Sequence, residues 1–551
     1  MNQRADQAGH TNHQVPVLIV GGSLVGLSTS LFLGRLGVRH TLVERHAGTS
    51  IHPRGRGNNV RTMELFRAAG VEPMIRQAAA TLADNHGILQ TPTLVGDAGE
   101  WLFREIDAGG GLARFSPSSW CLCSQNDLEP VLFEHAAQLG GDLRYATELM
   151  SFDSDPSGVT AVVKSRQTGE HTTIRAEYLV AADGPRSPVR QQLGIAQSGP
   201  GDLFHNVSIT FRSRHLADVV GDRRFIVCYL TSPDADGALL PVDNRENWVF
   251  HAPWHPEQGE TLEEFTDERC VEHIRRAVGV ADLDVQVTGR APWHAAQRVA
   301  RSYRAGRVFL AGDSAHEMSP TGAFGSNTGI QDAHNLAWKL SAVLGGWAGE
   351  GLLDTYDAER RPVAEATSAR AAARSVEHSH PGFAPPPGAG GTPQRGILNV
   401  ALGYRYPHGA VVGTDPAAPV VPGQLDLSGE PGSRAPHLWV RNRGERISTL
   451  DLYERSFVLL SDIDDPSGWH EAAIRLAEVM SIPLTSYRVG NGSDADLTPE
   501  GGTDWSASHG ATPGSAVLVR PDGFVAWRSS GLVPDAESAL RHVLTTLLAA
   551  A

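Results

Sequence analysis

The sequence predicts an α/β fold with a Rossmann-like nucleotide-binding domain, an inserted antiparallel-sheet domain and a smaller C-terminal domain. Near the start, a strand, a glycine turn, an amphipathic stretch over Leu24–Leu36 and a second strand over His40–Glu44 form a βαβ pattern. Between residues 205 and 293, short apolar runs alternate with Pro, Asp and Gly turns, as is typical of antiparallel strands. A Pro- and Gly-rich stretch over 381–393 then precedes a second α/β pattern that begins near Leu425.

The individual elements follow from the spacing of apolar residues. In the nucleotide-binding part, helical spacing predicts further helices over Thr62–Ala69, Leu128–Leu139 and Gly351–Val376. In the inserted part, we expect strands over Val207–Phe211, Phe225–Leu230 and Trp248–His251, and a helix near Leu262–Val278. In the C-terminal part, we expect a strand over Phe457–Leu460, helices over Trp469–Val479 and Ala536–Leu548, and a hairpin formed by Ala516–Arg520 and Phe524–Trp527.

Changes in these patterns mark the predicted domain boundaries. Residues 1–14 are polar and lack the apolar core of a signal peptide, so we expect a disordered tail. The nucleotide-binding domain is predicted to be discontinuous and to consist of residues 15–85, 115–200 and 295–380. The inserted substrate domain is predicted to consist of residues 86–114 and 201–294. Residues 381–424 are predicted to form a linker, and residues 425–551 the C-terminal domain.

Composition limits the classes of function. A chain of 551 residues is too long for one hydrophobic core. A net charge of −15 argues against nucleic acid as a partner, because nucleic acid requires a dense basic face. Four cysteines, none after Cys270, form no disulfide framework and no zinc-ligand spacing, so no metal is expected. Without a signal peptide or a membrane-spanning run, a cytoplasmic enzyme is expected, and the sequence leaves open whether it forms a homo-oligomer.

The glycine turn after the first strand is the first of three segments that together indicate a dinucleotide site. Gly21 and Gly26 allow a pyrophosphate to approach backbone amides at a helix N-terminus, and Glu44 is placed to accept hydrogen bonds from a ribose diol. Ser23 stands where the usual pattern has its second glycine, but it is small enough for close approach. Alone, this segment is also compatible with an ordinary βα turn or with a plain NAD-dependent dehydrogenase.

The second segment covers residues 181–190 and contains Asp183. The third segment contains Asp313, which is the most informative single residue. Asp313 ends an apolar strand, so its carboxylate is expected at the sheet edge where α/β folds bind ligands. A flavin ribityl chain offers hydroxyl donors to such a carboxylate. Gly322 and Gly325 allow a loop to run close to a planar ring, and a helix over about 327–340 would point its N-terminus at that ring.

Several other polar and aromatic residues have two interpretations each. Arg54 is either a donor to a pyrophosphate or a solvated surface arginine, and Gln125 is either a ligand of a ribityl hydroxyl or a helix-capping residue. Four residues are either substrate contacts or ordinary core residues, namely Tyr229, Trp248, His251 and His316. The sequence does not identify a side-chain base.

With these segments in place, the chain resembles the group A FAD-dependent aromatic hydroxylases, the para-hydroxybenzoate hydroxylase family. It is most similar to the branch that hydroxylates aromatic polyketides, such as the aklavinone and tetracenomycin hydroxylases. The stretches that carry the resemblance are His52-Pro53-Arg54, Ser124-Gln125, Asp183-Gly184, Gly312-Asp313-Ser314-Ala315-His316, Leu352-Leu353-Asp354-Thr355-Tyr356 and Val517–Arg528. The branch carries a thioredoxin-like C-terminal domain, and here that domain would lack the cysteines needed for disulfide exchange.

The resemblance implies non-covalent FAD, with NADPH as a transient reductant that has no domain of its own. Pro320 would lie beside the flavin, with a weak backbone role in catalysis. The expected FAD contacts are Gly21, Ser23, Gly26, Glu44, Arg45, Arg54, Gln125, Asp183, Asp313, Gly325, Ser326 and Asn327.

The implied reaction is hydroxylation of a phenolic ring, of a polyketide or another secondary metabolite, through a C4a-hydroperoxyflavin. Baeyer–Villiger oxygenation, or hydroxylation of a simple phenol, uses the same motifs and stays open. Flavin-dependent halogenases carry a Trp-x-Trp motif, and no two tryptophans here are two residues apart. A non-catalytic FAD-binding protein is the alternative outside the enzyme class, and the intact loop after Asp313 argues against it.

Overall fold

The structure of the protein is a computed structural model. It covers residues 12–96, 98–107, 109–377, 396–501 and 504–549. Most of the predicted tail and residues 381–395 of the predicted linker lie outside these ranges. The first strand begins at Asn12, three residues before its predicted start, because its parallel ladder with the strand His171–Ala181 extends to the pair Asn12 and Thr173.

The first sheet contains eight strands and carries the nucleotide-binding pattern. Its parallel centre lies in the order Val308–Leu310, His171–Ala181, Asn12–Val20, His40–Val43 and Asp142–Arg144, with Arg304–Ala305, Thr147–Asp155 and Gly158–Ser165 added antiparallel. Three helices pack in this part of the protein, Leu24–Arg35, Gln125–Gln138 and Phe324–Leu344. The predicted βαβ opening is therefore present.

The second sheet also contains eight strands and is the inserted, largely antiparallel layer. Its order is His316–Glu317, Gln286–Ala300, Gln197–Arg212, Asn247–Trp254, Gly237–Pro241, Phe225–Leu230, Gly87–Thr91 and Glu100–Phe103. The helix Asp267–Val278 covers one face and buries Cys270 and Ile274 against the strands. The strands Gln197–Arg212 and Gln286–Ala300 run through the predicted boundaries near 200 and 294, so no linker separates the two layers there.

The third sheet contains seven strands and forms the C-terminal unit. Its order is Glu445–Ser448, Trp439–Asn442, Leu497–Pro499, Leu484–Val489, Phe457–Asp462, Ala516–Val519 and Val525–Arg528. The helices Trp469–Val479 and Ala536–Leu547 pack together, and Trp469, Leu540 and Leu544 are buried in the same cluster as Phe457.

The remaining elements are short or connect the sheets. A two-stranded ribbon joins Gly57–Asn58 to Cys121–Leu122. The remaining helices are Val60–Ala68, Glu72–Ala78, Pro188–Gln192, His215–Val220, Thr355–Glu377, Ile397–Ala401 and Trp505–Ser508. Within the described residues, no helix has the length and apolar content needed to cross a membrane.

Two buried histidines predict a loss of stability in mild acid. Burial lowers the pKa of His437 to about 4, and it lowers the pKa of His509 to about 4. In the unfolded chain both titrate near 6.5, so between pH 6.5 and 4 the unfolded state binds more protons and the folded state loses stability. At pH 5 each histidine should reduce the free energy of unfolding by about 2 kcal/mol.

Chemical denaturation of the wild-type protein at pH 7.5 and pH 5 measures this loss. His509→Gln should make the difference between the two pH values smaller, whereas His171→Gln, at an exposed position, should leave it unchanged. Equal stability of the wild-type protein at both pH values would contradict the assignment.

Candidate functional site

The glycine turn lies at the carboxyl edge of the first sheet. Gly21 has a φ of +107°, and a Cβ atom there would lie 2.2 Å from the carbonyl oxygen of Ala182. A Cβ atom on Gly26 would lie 1.8 Å from the carbonyl oxygen of Gly21. Only glycine fits both positions, and the helix Leu24–Arg35 therefore begins directly at the turn with Ser23 as its N-cap. The unpaired amides of that first turn form an anion-binding end.

Glu44 follows the second strand of the sheet and reaches back to the same turn. Its Oε2 accepts a hydrogen bond of 2.7 Å from the backbone N–H of Gly22, and its Oε1 accepts one of 2.8 Å from that of His46. His46 Nδ1 also lies 2.6 Å from Oε1, so these bonds fix the carboxylate beside the glycine turn while Oε2 retains a lone pair for a ribose hydroxyl. Arg45 is exposed next to it.

Ser23 and Gln125 meet at a buried carboxylate that sequence reasoning missed. Glu129 is 1% exposed, and its Oε1 accepts hydrogen bonds from Ser23 Oγ at 2.6 Å and from Gln125 Nε2 at 2.6 Å. Its Oε2 accepts one of 2.6 Å from the backbone N–H of Ser50. Glu129 therefore ties the pyrophosphate-type turn to the helix Gln125–Gln138 and to the loop that leads to Arg54. The signal available in the sequence was the helical spacing of four residues from Gln125 to Glu129.

Asp313 lies in a short 3-10 turn over Gly312–Ser314, at the end of the strand Val308–Leu310. Its side chain is accessible, yet surrounding protein desolvates the carboxylate and raises its pKa, an effect that His316 and Arg54 partly oppose. Arg54 is exposed, so the structure brings a guanidinium and a carboxylate to one groove. Among the described residues, no hydrogen-bond partner of the Asp313 carboxylate is found. The carboxylate can therefore accept hydrogen bonds from the hydroxyl groups of a ligand.

Asp332 holds the Asp313 turn in place and was also missed at the sequence level. It is fully buried, and its Oδ2 accepts hydrogen bonds from the Gly312 backbone at 3.2 Å and from His316 Nε2 at 2.8 Å. Its Oδ1 accepts one of 2.7 Å from Arg360 Nε. Burial alone would raise the pKa of Asp332, but Arg360 and His316 hold it below its ordinary value. His316 is therefore a core residue and not a substrate contact.

The helix expected from residue 327 begins earlier, at Phe324, and runs to Leu344. Gly325 and Ser326 lie in its first turn and are partly exposed, and Pro320 is exposed in the preceding loop. Asn327 is buried, and its side-chain amide is hydrogen-bonded within the protein. Its Nδ2 donates to Gly57 O at 2.7 Å, and its Oδ1 accepts from Asn59 N at 2.9 Å. A side-chain contact from Asn327 to a cofactor is therefore not supported; the residue fixes the helix start to the ribbon at Gly57–Asn58.

Asp183 lies at the end of the strand His171–Ala181, near the glycine turn. Its Oδ2 accepts a hydrogen bond of 3.2 Å from Val189 N, and burial raises its pKa. Its Oδ1 is buried and has no partner within the described part of the chain.

The three substrate candidates divide between the two faces of the second sheet. Tyr229 lies with Val227 and Ala238 on the face that also carries His251, whereas Trp248 lies on the other face. Trp248 is 1% exposed, packs under the helix Asp267–Val278 and donates to Ser213 O at 2.9 Å. Its prediction as a substrate contact is wrong, because it belongs to the core of the inserted layer.

Arg374 and Ser375, on the helix Thr355–Glu377, relate Tyr229 to the loop that contains Pro320. The positive charge of Arg374 acts on the phenol of Tyr229, and the neighbouring Ser375 donates to Thr321 Oγ1 at 2.8 Å. On the same side, Arg56 donates to Pro241 O, and His52 Nε2 lies 3.2 Å from Ser208 Oγ. The Arg54 loop therefore contacts the second sheet on the face that carries His251. No cluster of potential metal ligands occurs among the residues described.

Comparison with known proteins identifies the architecture. A family profile described as FAD binding domain matches residues 14–371, and one described as the C-terminal domain of aromatic-ring hydroxylases matches residues 428–551. The chain belongs to the FAD-dependent aromatic-ring hydroxylases. It is 79% identical to a protein of Streptomyces halstedii provisionally named a polyketide hydroxylase, over all of both chains. It is 41% identical to the tetracenomycin A2 monooxygenase-dioxygenase of Streptomyces glaucescens, over 98% of each chain.

Among solved structures, the chain is similar to aklavinone-11 hydroxylase in a ternary complex with FAD and aklavinone. The TM-score is 0.85 and the identity 37%, over 98% of this chain and 99% of that one. The groove of this aromatic-ring hydroxylase fits FAD on its own chemistry. Glu44 and Asp313 offer acceptors for ribose and ribityl hydroxyls, Arg54 and one helix N-terminus offer a pyrophosphate site, and the helix at Phe324 offers amides for the flavin ring.

Proposed function

We propose that this hydroxylase uses FAD, NADPH and O₂ to hydroxylate a phenolic ring of an aromatic polyketide. The observation that supports it most is that the Asp313 turn is bonded to the helix Phe324–Leu344 through Asp332 and runs directly into the edge strand His316–Glu317 of the second sheet, whose face around Tyr229 is largely apolar. Such a face suits a large planar substrate, and the names of the relatives agree with polyketide chemistry. The expected FAD contacts named above, apart from the Asn327 side chain, form part of this proposal.

When bound, the flavin would supply an electrophilic oxygen atom. NADPH would first reduce the flavin, and O₂ would then add to it as a C4a-hydroperoxide. The chain's own residues would hold the ring and make it more reactive. Burial raises the pKa of Tyr229 to about 12, while the charge of Arg374 opposes this rise. A neutral tyrosine hydroxyl beside a guanidinium is suited to hold a substrate phenol and favour its phenolate, which makes the ortho and para carbons more nucleophilic.

The C-terminal unit is proposed to be thioredoxin-like in fold and inactive in redox chemistry. The strands Phe457–Asp462 and Leu484–Val489 are parallel and flank the helix Trp469–Val479, and the hairpin Ala516–Val519 with Val525–Arg528 extends the sheet antiparallel. It contains no cysteine, because Cys270 is the last in the chain. We also propose a cytoplasmic location.

Oxidation of NADPH should be slow in the holoenzyme alone and much faster with an effective phenolic polyketide. A substrate-gated reduction avoids the waste of reducing equivalents as peroxide when no ring accepts oxygen. Stopped-flow absorbance of the flavin, with and without each compound of a polyketide and simple-phenol panel, measures the rate. The proposal would be contradicted if none of the compounds that the enzyme hydroxylates increased the rate of flavin reduction.

A further inference from the structure

A hairpin loop of the C-terminal unit is buried inside the FAD-binding domain. Its residues Arg520 and Asp522 are 0% and 2% exposed, between the strands Ala516–Val519 and Val525–Arg528. Within the loop, Arg520 Nε donates to Asp522 Oδ1 at 2.9 Å. Arg520 also donates to both oxygens of Glu359, at 2.8 Å and 2.9 Å, from the helix Thr355–Glu377.

The same loop contacts the helix whose first turn faces the proposed flavin position. Asn335 donates from Nδ2 to Asp522 Oδ2 at 3.0 Å and to Glu359 Oε2 at 2.8 Å. One turn further, Lys339 Nζ lies 2.7 Å from Glu359 Oε2, and both side chains are fully buried. Asn335 lies about three turns along the helix from Phe324. The C-terminal loop thus contacts the middle of this helix through two buried carboxylates.

A second contact leads from the loop to the other side of the flavin groove. The backbone oxygen of Asp522 accepts a hydrogen bond of 2.5 Å from Arg61, on the helix Val60–Ala68. That helix has Asn59 as its N-cap, and the backbone N–H of Asn59 donates to Asn327 Oδ1 at 2.9 Å, in the first turn of the helix Phe324–Leu344. Both helices that meet at Asn327 are therefore held by one loop of another domain.

Energetics favour a positioning role over a simple stabilising one. Buried ion pairs contribute little net stability compared with apolar packing of the same volume, and their attested use is to select one register. A helix whose mid-section is bound at Asn335 and Lys339 cannot slide or rotate without breaking hydrogen bonds made by fully buried groups. Its first turn is then fixed relative to the Asp313 turn, to which it is already joined through Asp332.

We propose that the Arg520–Asp522 loop is a positioning element that sets the register of the helix Phe324–Leu344, and hence the distance of its first-turn amides from the flavin ring. The proposal rests on FAD binding in this groove, but it is independent of the identity of the aromatic substrate. Amides at a helix N-terminus stabilise the negative charge of a reduced flavin. A displaced helix should therefore weaken FAD binding and lower the flavin midpoint potential.

The test compares three variants of the full-length chain. Asp522→Asn keeps the shape of the loop but removes the charge paired with Arg520, and Asn335→Ala removes the contact from the helix side without leaving an unpaired buried charge. Glu454→Gln is the matched control, because Glu454 also joins the C-terminal unit to the FAD domain, through Arg35 at 2.9 Å and 2.8 Å. It lies beside the C-terminal half of the helix Phe324–Leu344, near Trp338, but among the described residues it has no hydrogen bond to that helix. FAD affinity is measured by fluorescence quenching, and the midpoint potential by dye-coupled reductive titration; neither measurement needs NADPH or a substrate.

We expect Asp522→Asn and Asn335→Ala to raise the Kd for FAD about tenfold and to make the midpoint potential more negative. Glu454→Gln should change the unfolding temperature but neither flavin property. If both loop-contact variants fold and bind FAD with wild-type affinity and potential, the positioning role is overturned. It is equally overturned if Glu454→Gln shifts the potential as much as they do, because the effect would then be a general consequence of weakening the interface. A wild-type enzyme that binds FAD but hydroxylates nothing would count against the proposed function and leave this result unaffected.

Discussion

Asp313→Ala is expected to give a folded protein that loses most of its FAD during purification. The Asp313 carboxylate is desolvated by its surroundings and has no hydrogen-bond partner in the described part of the protein, so the fold gains little from it. A ligand hydroxyl bonded to a charged group contributes about 1.5–3 kcal/mol, which corresponds to a loss of about 10- to 150-fold in affinity. Titration with FAD and thermal unfolding of the FAD-free protein measure the two effects separately.

Asp313→Asn is the matched comparison, because it keeps the size of the side chain and one acceptor oxygen. We expect it to bind FAD more tightly than the alanine variant and less tightly than the wild type. The unfolding temperature of the FAD-free alanine variant should be equal to or above that of the wild type, since a desolvated charge has been removed. An alanine variant that binds FAD as tightly as the wild type would show that the carboxylate has another role.

Removal of residues 425–551 is expected to give an insoluble or aggregated protein. The truncation would leave the carboxylates of Glu64 and Glu359 without Arg434 and Arg520, to which they are bonded in the buried interface. Water would reach both carboxylates, and Glu64 keeps Arg61 and Glu359 keeps Lys339 as partners, so the larger effect is the apolar surface that the truncation uncovers. It would also expose Trp338, whose ring packs edge-on against Phe457.

The soluble fraction and the size-exclusion profile of the truncated chain measure this outcome. Arg528→Gln in the intact chain is a suitable control, because Arg528 pairs with Glu430 inside the C-terminal region and should leave solubility unchanged. A soluble, monodisperse truncated protein that binds FAD would contradict the structural role. If such a protein kept FAD but lost only hydroxylation, the C-terminal unit would have a part in catalysis.

The backbone of the flavin groove could be predicted from the sequence because glycine and strand patterns are local signals. The turn at Gly21 needs a residue without a Cβ, and Asp313 directly follows an apolar strand, so both positions can be recognised without knowing the fold. The predicted helix Trp469–Val479 has the same bounds in the structure. The first sheet takes its central strands from segments that are far apart in the chain, Asn12–Val20, His171–Ala181 and Val308–Leu310.

The buried carboxylates could not be predicted, because their partners come from distant segments. Glu129 meets Ser23 and Asp332 meets Arg360 only after folding, and an acidic residue on a helix normally indicates a solvated face. Tyr229 and Trp248 could not be distinguished either. Their strands are apolar on both faces, so alternation does not tell which face lies toward the groove and which toward the helix Asp267–Val278. The strand Gln286–Ala300 was missed because polar residues recur along it.

The most direct test of the account is oxygen transfer from O₂ to an aromatic carbon. Purified holoenzyme is supplied with NADPH and ¹⁸O₂ and incubated with a panel of phenolic polyketides that includes aklavinone, and the products are analysed by mass spectrometry and NMR. The product is expected to carry one ¹⁸O atom as a new phenolic hydroxyl. Formation of an ester or lactone by insertion beside a carbonyl, or NADPH oxidation that yields only peroxide with every compound, would contradict it.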